Sequence, residues 1–204
     1  MIKTPNLIRR YMFENNGTDF TGNTDATIYS SSYVDGIFGK AIHFSGSTSS
    51  YAQFTPWVFN VGCSISMWID LSTISGNSYF IGGTRRPVTT YYPGISYNST
   101  AQRFLVFTGD IATGMTYVYF NQPSGFVHLT IIRRTSRDYD FYVNGELIGT
   151  SNSNGDSAIN VYLLGRRADN LVANCSMDEV CFWNAPLSVQ NIRRVMMGLH
   201  PING

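Results

Sequence analysis

Two adjacent carboxylates, Asp178 and Glu179, lie inside the run Cys-Ser-Met-Asp-Glu-Val-Cys-Phe-Trp that begins at Cys175. Charges enter an apolar run of this kind only where something pairs them. Three chemistries are open to such a pair: acid–base catalysis, cation binding, or a satisfied position at a strand rim. Cleavage of a glycosidic bond needs two carboxyl groups roughly 5 Å apart, or somewhat more for inversion, on facing positions. Neighbours on an extended strand point to opposite faces, so Asp178 and Glu179 are not expected to flank one bond. Glu179 is then expected to face solvent or to pair with Arg166 or Arg167.

No other catalytic pattern stands in the sequence. The histidines are His43, His128 and His200, and none belongs to a His-Glu-x-x-His motif. There is no Gly-x-Ser-x-Gly, no phosphate loop and no Cys-x-x-Cys. The cysteines are Cys63, Cys175 and Cys181, an odd number that leaves at least one thiol unpaired within the chain. Cys175 and Cys181 on one strand would be roughly 20 Å apart, beyond disulfide reach. All three read as small buried hydrophobes of a chain made in a reducing cytoplasm. A nucleophilic Cys63–His128 pair lacks a visible activator, and a buried, strand-borne Cys is ordinarily inert.

The elements that must position these residues are almost all strands. Tyr, Phe, Ile, Val and Thr recur in short runs punctuated by Gly, Asn and Ser. Strands are predicted from Arg10–Phe13 through Ser64–Leu71, Tyr79–Gly82, Gly94–Tyr97, Phe104–Thr108, Thr116–Phe120 and Val127–Arg133 to Met177–Trp183. In Ser64–Asp70, Ile65, Met67 and Ile69 alternate with polar residues and Trp68, as one half of a sandwich requires. Asn144-Gly145 between two β-rich runs predicts a type I′ hairpin. One helix is predicted, with Ser188 as N-cap, Val189, Ile192, Val195 and Met196 on one face, and Gly198 at its end. No linker or charge run divides the chain, so residues 1–204 read as one domain with a core over about 10–197.

Composition narrows the partners. The chain has 204 residues, 43% hydrophobic and 13% charged, with a formal net charge of +1. The charged share is about half the usual one, and hydroxyl and amide side chains supply the polar surface. Nothing steers such a surface to nucleic acid or an acidic membrane, whereas neutral glycans and a crowded protein assembly suit it equally. The N-terminal MIKTPNLIRRYMF has no apolar run of signal-peptide length, and no stretch reaches transmembrane length. Export is therefore not expected by that route, and no membrane insertion is expected.

Four blocks carry a resemblance to a known family. They are YMFENNGTDFTGN, VDGIFGKAIHFSGSTSSYAQF, FVHLTIIRRTSRDYDFYVNGELIGT and LLGRRADNLVANCSMDEVCFWNAPLSVQNIRRV. In order and spacing the chain resembles the laminin-G-like, concanavalin A-like lectin/glucanase jelly rolls. Phe126 stands where the family usually has Trp, and about 76–123 aligns with nothing. The resemblance implies an all-β concanavalin A-like jelly-roll sandwich of two antiparallel sheets with a short C-terminal helix. Laminarinase-type members carry Glu-x-Asp-x-x-Glu on one strand, which the three Glu of this chain (Glu14, Glu146 and Glu179) do not form. The resemblance further implies a structural Ca²⁺ held by Asp19 and Asn23, a backbone oxygen near Ser45 or Gly46, and Asp178. The other reading of Asp178 is an acceptor for loop amides with no metal.

A sugar site combines an aromatic ring with a few fixed polar groups. The unaligned middle offers Arg85, Tyr91, Tyr92, Tyr97, Tyr117 and Tyr119, and Arg85, Tyr91, Tyr92 and Tyr117 are the expected ligand-binding set. The expected function is a non-catalytic glycan-binding or adhesion module. A virus or phage spike, fibre or decoration protein recognising host carbohydrate fits it, since such proteins are made in the cytoplasm and act on the virion surface or outside the cell. The alternatives are a purely structural building block of a homo-oligomer or virion assembly and, further off, a glycoside hydrolase.

Overall fold

The computed structural model describes residues 7–85, 93–107, 116–121, 124–153 and 159–200, with the side chain of Arg85 outside that set. Among them fifteen strands form two antiparallel sheets. The first, sheet A, runs β13 (Glu146–Asn152), β12 (Asp138–Val143), β11 (Phe126–Arg133), β6 (Ser64–Asp70), β15 (Asn174–Trp183), β4 (Lys40–Ser45), β3 (Ser32–Asp35), with β1 (Leu7–Tyr11) also paired to β15. The second, sheet B, runs β10 (Val118–Tyr119), β9 (Arg103–Phe107), β8 (Gly94–Asn98), β7 (Asn77–Arg85), β14 (Ile159–Leu164), β5 (Tyr51–Phe59), β2 (Thr27–Tyr29).

The sheets face each other across a core drawn from alternate positions of each strand. Ile65, Met67 and Ile69 of β6 enter it, as their alternation predicts, and meet Tyr97, Phe104 and Val106 of sheet B in one cluster. A smaller cluster lies on the other side of sheet A, where Cys181 and Trp183 of β15 take Ile192 and Val195 of helix α1 (Val189–Met196). Ser188 caps this helix, its hydroxyl accepting from Asn191 N at 3.2 Å. Gly198, with φ +74°, follows the helix end as expected. Asn144 (φ 49°) and Gly145 (φ 82°) make the hairpin turn their sequence predicts.

β15 is an interior strand of sheet A, and it changes partner along its length. One edge pairs with β6 over Ser176–Asp178 and Cys181–Trp183. The other pairs with β4 over Asn174–Met177 and with β1 over Val180–Trp183. Asp178 and Glu179 sit at the changeover. The register with β6 slips there, between Asp178 and Cys181, and Glu179 takes a φ of 52°. This bulge breaks the alternation on which the opposite-faces expectation rested. Met177, Val180 and Phe182 point to the core. Asp178 and Glu179 both lie on the outer side, with Cys181 and Trp183 following there.

Candidate functional site

Sharing a face does not make the two acids a catalytic pair. Asp178 is fully buried, and its Oδ2 accepts from the backbone amides of Ile37 and Phe38 at 2.8 and 2.9 Å. The Gly36–Gly39 turn thus hangs from β15, closing the sheet where β4 gives way to β1. Burial, with the charge of Glu179 nearby, pushes the Asp178 carboxyl up to about 6. Glu179 is buried too, and does not pair with Arg166 or Arg167 as expected. Its two oxygens take Arg10 Nε at 2.6 Å and Arg10 Nη2 at 2.9 Å, while His200 Nε2 lies 3.3 Å away. Burial alone would raise this carboxyl, but His200 and Arg10 outweigh it and hold it below its usual range. Arg166 instead stacks on Tyr51, and Arg167 forks onto Asp169. Arg10 and His200 escaped the sequence reading because partners distant in the chain, 169 residues away in the case of Arg10, leave no local pattern.

Glu179, Cys181 and His200 bring one donor atom each within 4.8 Å of one another. Glu179 is already forked by a guanidinium. Burial and Glu179's own charge push the Cys181 thiol well above its usual range. Both oppose a cation there, and the group serves to pin the segment after α1 against β15. Cys63 and His128 are not brought together. His128 pairs with Trp68, five residues along β6 from Cys63, roughly 17 Å by strand rise. Burial, with His200 nearby, pushes His128 down to about 3. All three cysteines are buried, as expected.

The four residues assigned to calcium do not converge. Asp19 organises its own turn, Oδ1 accepting from Arg10 N and Thr21 N and Oδ2 from Thr24 N. It lies across β1 from β15, since Tyr11 bridges Asp19 on one side and Val180 on the other. Asn23 donates to Ile8 O at 2.7 Å. Ser45 is opposite Asn174, four residues before Asp178, which is roughly 13 Å along the strand. Ligand oxygens of one Ca²⁺ stand roughly 2.3–2.6 Å from it and so within about 5 Å of each other. These residues do not fit the ion, and Asp178 takes its other expected role as acceptor for loop amides.

The outer face of sheet B is a different surface. Asn77, Asn98, Arg103 and Tyr119 stand opposite one another on four consecutive strands, so their side chains share a side. The adjoining row, Tyr97, Phe104 and Val118, is core, which fixes the first row as outward. Tyr119 is 67% exposed. Tyr117 lies beside this row with the Arg103 guanidinium 3.5 Å from its ring centre. Asn77, Asn98, Arg103, Leu105 and Tyr117 line a hollow of about 130 Å³. Asn98 Oδ1 accepts from Ala101 N at 2.8 Å, which fixes the amide of that side chain. The site offers a flat ring, a fixed guanidinium and two amides at the water boundary.

Of the ligand-binding set expected from sequence, Tyr117 is in this hollow. Tyr91 and Tyr92 lie outside the described residues. Arg85 ends β7 opposite Ile159, eight residues beyond Asn77, so its backbone is roughly 26 Å from the row that Tyr117 joins. Tyr97 is buried, its hydroxyl donating to Phe120 O. Asn77, Asn98 and Arg103 were missed. Strand register alone assembles them, and the signal available was the alternation Arg103-Phe104-Leu105-Val106.

The architecture agrees with comparison to known proteins. Residues 45–193 match the family model of the concanavalin A-like lectin/glucanases superfamily, and the chain belongs to that family. No curated protein matches the sequence significantly. Among solved structures, domain 4 of AbnA, an extracellular GH43 arabinanase from Geobacillus stearothermophilus, was solved with arabinotriose. It superposes with a TM-score of 0.72 at 17% identity, over 95% of this chain and 99% of that one. The binding domain of Paraclostridial Mosquitocidal Protein 1 gives 0.66 at 14%, over 93% of this chain and 51% of that one. Trypanosoma rangeli sialidase gives 0.69 at 15%, over 94% of this chain and 32% of that one, so this chain spans about a third of its length. No helix among the described residues is long and apolar enough to cross a membrane.

Proposed function

We propose that this domain is a non-catalytic carbohydrate-binding module that takes glycan on the outer face of sheet B. The observation that carries the reading is the row Asn77, Asn98, Arg103 and Tyr119, with Tyr117 held under Arg103. A ring stacks on the C–H face of a sugar, while the guanidinium and amides grip hydroxyls or a carboxylate. Support comes also from domain 4 of the arabinanase, a fold neighbour of matching length solved with a bound trisaccharide. The lack of catalysis is supported by Asp178 and Glu179, whose carboxyls are buried and taken by loop amides and Arg10. A virus or phage surface protein recognising host glycan is the context we infer. Buried thiols at Cys175 and Cys181 suit cytoplasmic synthesis, and a lectin fold suits work outside the cell.

A glycan array with neutral and sialylated probes tests the reading, followed by calorimetry on the best binder. Arg103→Ala and Tyr119→Ala are each expected to weaken binding at least tenfold, with the melting temperature almost unchanged. Silence across the array, with a stable oligomer in light scattering, would favour the building-block alternative. Turnover of any polysaccharide would refute the non-catalytic reading.

A further inference from the structure

We propose a second carbohydrate subsite on the same sheet face, in the groove along β2 and β5, that takes neutral sugar. This inference rests on the carbohydrate-binding reading above. The groove holds about 320 Å³ and is lined by Asp25, Thr27, Tyr29, Gln53, Thr55 and Pro56. Thr27 is opposite Gln53 and Tyr29 opposite Tyr51, while the neighbouring Ile28 and Ala52 pack into the core. The groove side chains therefore face out, on the same side of sheet B as Arg103.

An aromatic stack stands at one end. Tyr29 and Tyr51 lie with ring centroids 4.4 Å apart at 15°, and Arg166 sits 3.5 Å from the centre of Tyr51. A ring has two faces, so Tyr51 is filled on both sides and Tyr29 presents its remaining face, 38% exposed, at the sheet edge. Arg166 is itself fixed, donating to Thr48 O at 2.7 Å. The chemistry is a held aromatic platform, then hydroxyl and amide groups, then the Asp25 carboxylate. Such a set hydrogen-bonds sugar hydroxyls, with Asp25 disfavouring a carboxylate at its end of the groove.

The two sites are separated by a built divider. Gly82 and Gly94 pair in mid-sheet, and the 165–172 segment crosses over them. A Cβ at Gly82 would lie 2.3 Å from Arg166 O, so only glycine admits that crossing. Arg166 turns from the segment toward Tyr51, and Arg167 turns toward Tyr79 and Phe107. The hollow on β9 and the groove on β5 are four strand steps apart across the sheet, roughly 20 Å, and offset by roughly 15 Å along it. One extended glycan engaging both gains affinity by effective concentration.

The test is an amide-shift NMR titration with neutral tri- and hexasaccharides of arabinose, xylose and glucose. Amides of Thr27–Tyr29 and Gln53–Thr55 are expected to shift in the wild type and in Arg103→Ala, and to stay still in Tyr29→Ala. Gln53→Ala is the second groove variant should Tyr29→Ala disturb the edge strand. The best hexasaccharide is expected to bind at least tenfold more tightly than its trisaccharide, a gain lost in Tyr29→Ala. Shifts confined to Asn98–Arg103 and Tyr117–Tyr119 overturn the groove and leave the module standing. Shifts at β2 and β5 alone uphold the groove and remove the hollow. No shift with any sugar overturns both.

Discussion

Asp178 and Glu179 are buried neighbours whose carboxyls shift in opposite directions, because His200 and Arg10 overcome the effect of burial at Glu179 alone. Asp178 is raised to about 6 by burial, with Glu179's charge adding to it, against an ordinary value near 3.9 in the unfolded chain. The fold prefers its neutral form, so its contribution is full below about pH 4 and is lost as pH rises through 6. Glu179 is held below its ordinary value, so its contribution is present above about pH 4.5 and lost as pH falls. Asp178→Asn keeps an acceptor for Ile37 and Phe38 without the charge. Melting temperatures from pH 4 to 7 are expected to fall across that window in the wild type and to flatten in the variant. An equally flat wild-type profile would sink the idea. Glu179→Gln unpairs a guanidinium with only 16% of its side chain exposed, and is expected to lose about 3 kcal/mol in denaturant unfolding. Replacing both partners, Arg10→Met with Glu179→Leu, should restore most of it.

At the scale of elements, legibility followed burial. β6 and β11 were readable because one face of each is apolar at period two. The Asn144-Gly145 hairpin and the Ser188 helix were readable because each carries a local conformational signal. Ser188→Ala is accordingly expected to cost about 1 kcal/mol, read as a shift in the denaturant midpoint. β2 and β3 were not foreseen: they are short and mostly exposed, so no apolar alternation marks them. The first strand was expected over Arg10–Phe13 and is found at Leu7–Tyr11, because Phe13 turns to φ 57° and ends it. The bulge at Glu179 was equally invisible. Its cause is the change of partner from β4 to β1, a property of three strands and not of one run. The hollow on sheet B was half legible, since Tyr117 was expected there while its amide and guanidinium neighbours come from register.

For the whole molecule, the two-sheet sandwich was legible from ordered blocks, and the cation expected from the same resemblance was not upheld by geometry. The ends are tied by Arg10 and Glu179, and by the pairing of β1 with β15, instead. Chelation with EDTA is therefore expected to leave the melting temperature unchanged, and added Ca²⁺ should not raise it. A calcium-dependent rise of several degrees would show that an ion binds the native state.

The joining of β1 to the last strand has a consequence for how the protein is made. Arg10 and Glu179 are 169 residues apart, and β15 is interior to its sheet. Until a ribosome has delivered that strand, β4 and β6 have nothing between them, and β1 has no partner. Such distant closure is slow, with sticky strand edges bare in the meantime. The nascent polypeptide must therefore wait, and helpers that shield it during synthesis should govern its yield more than native-state stability does.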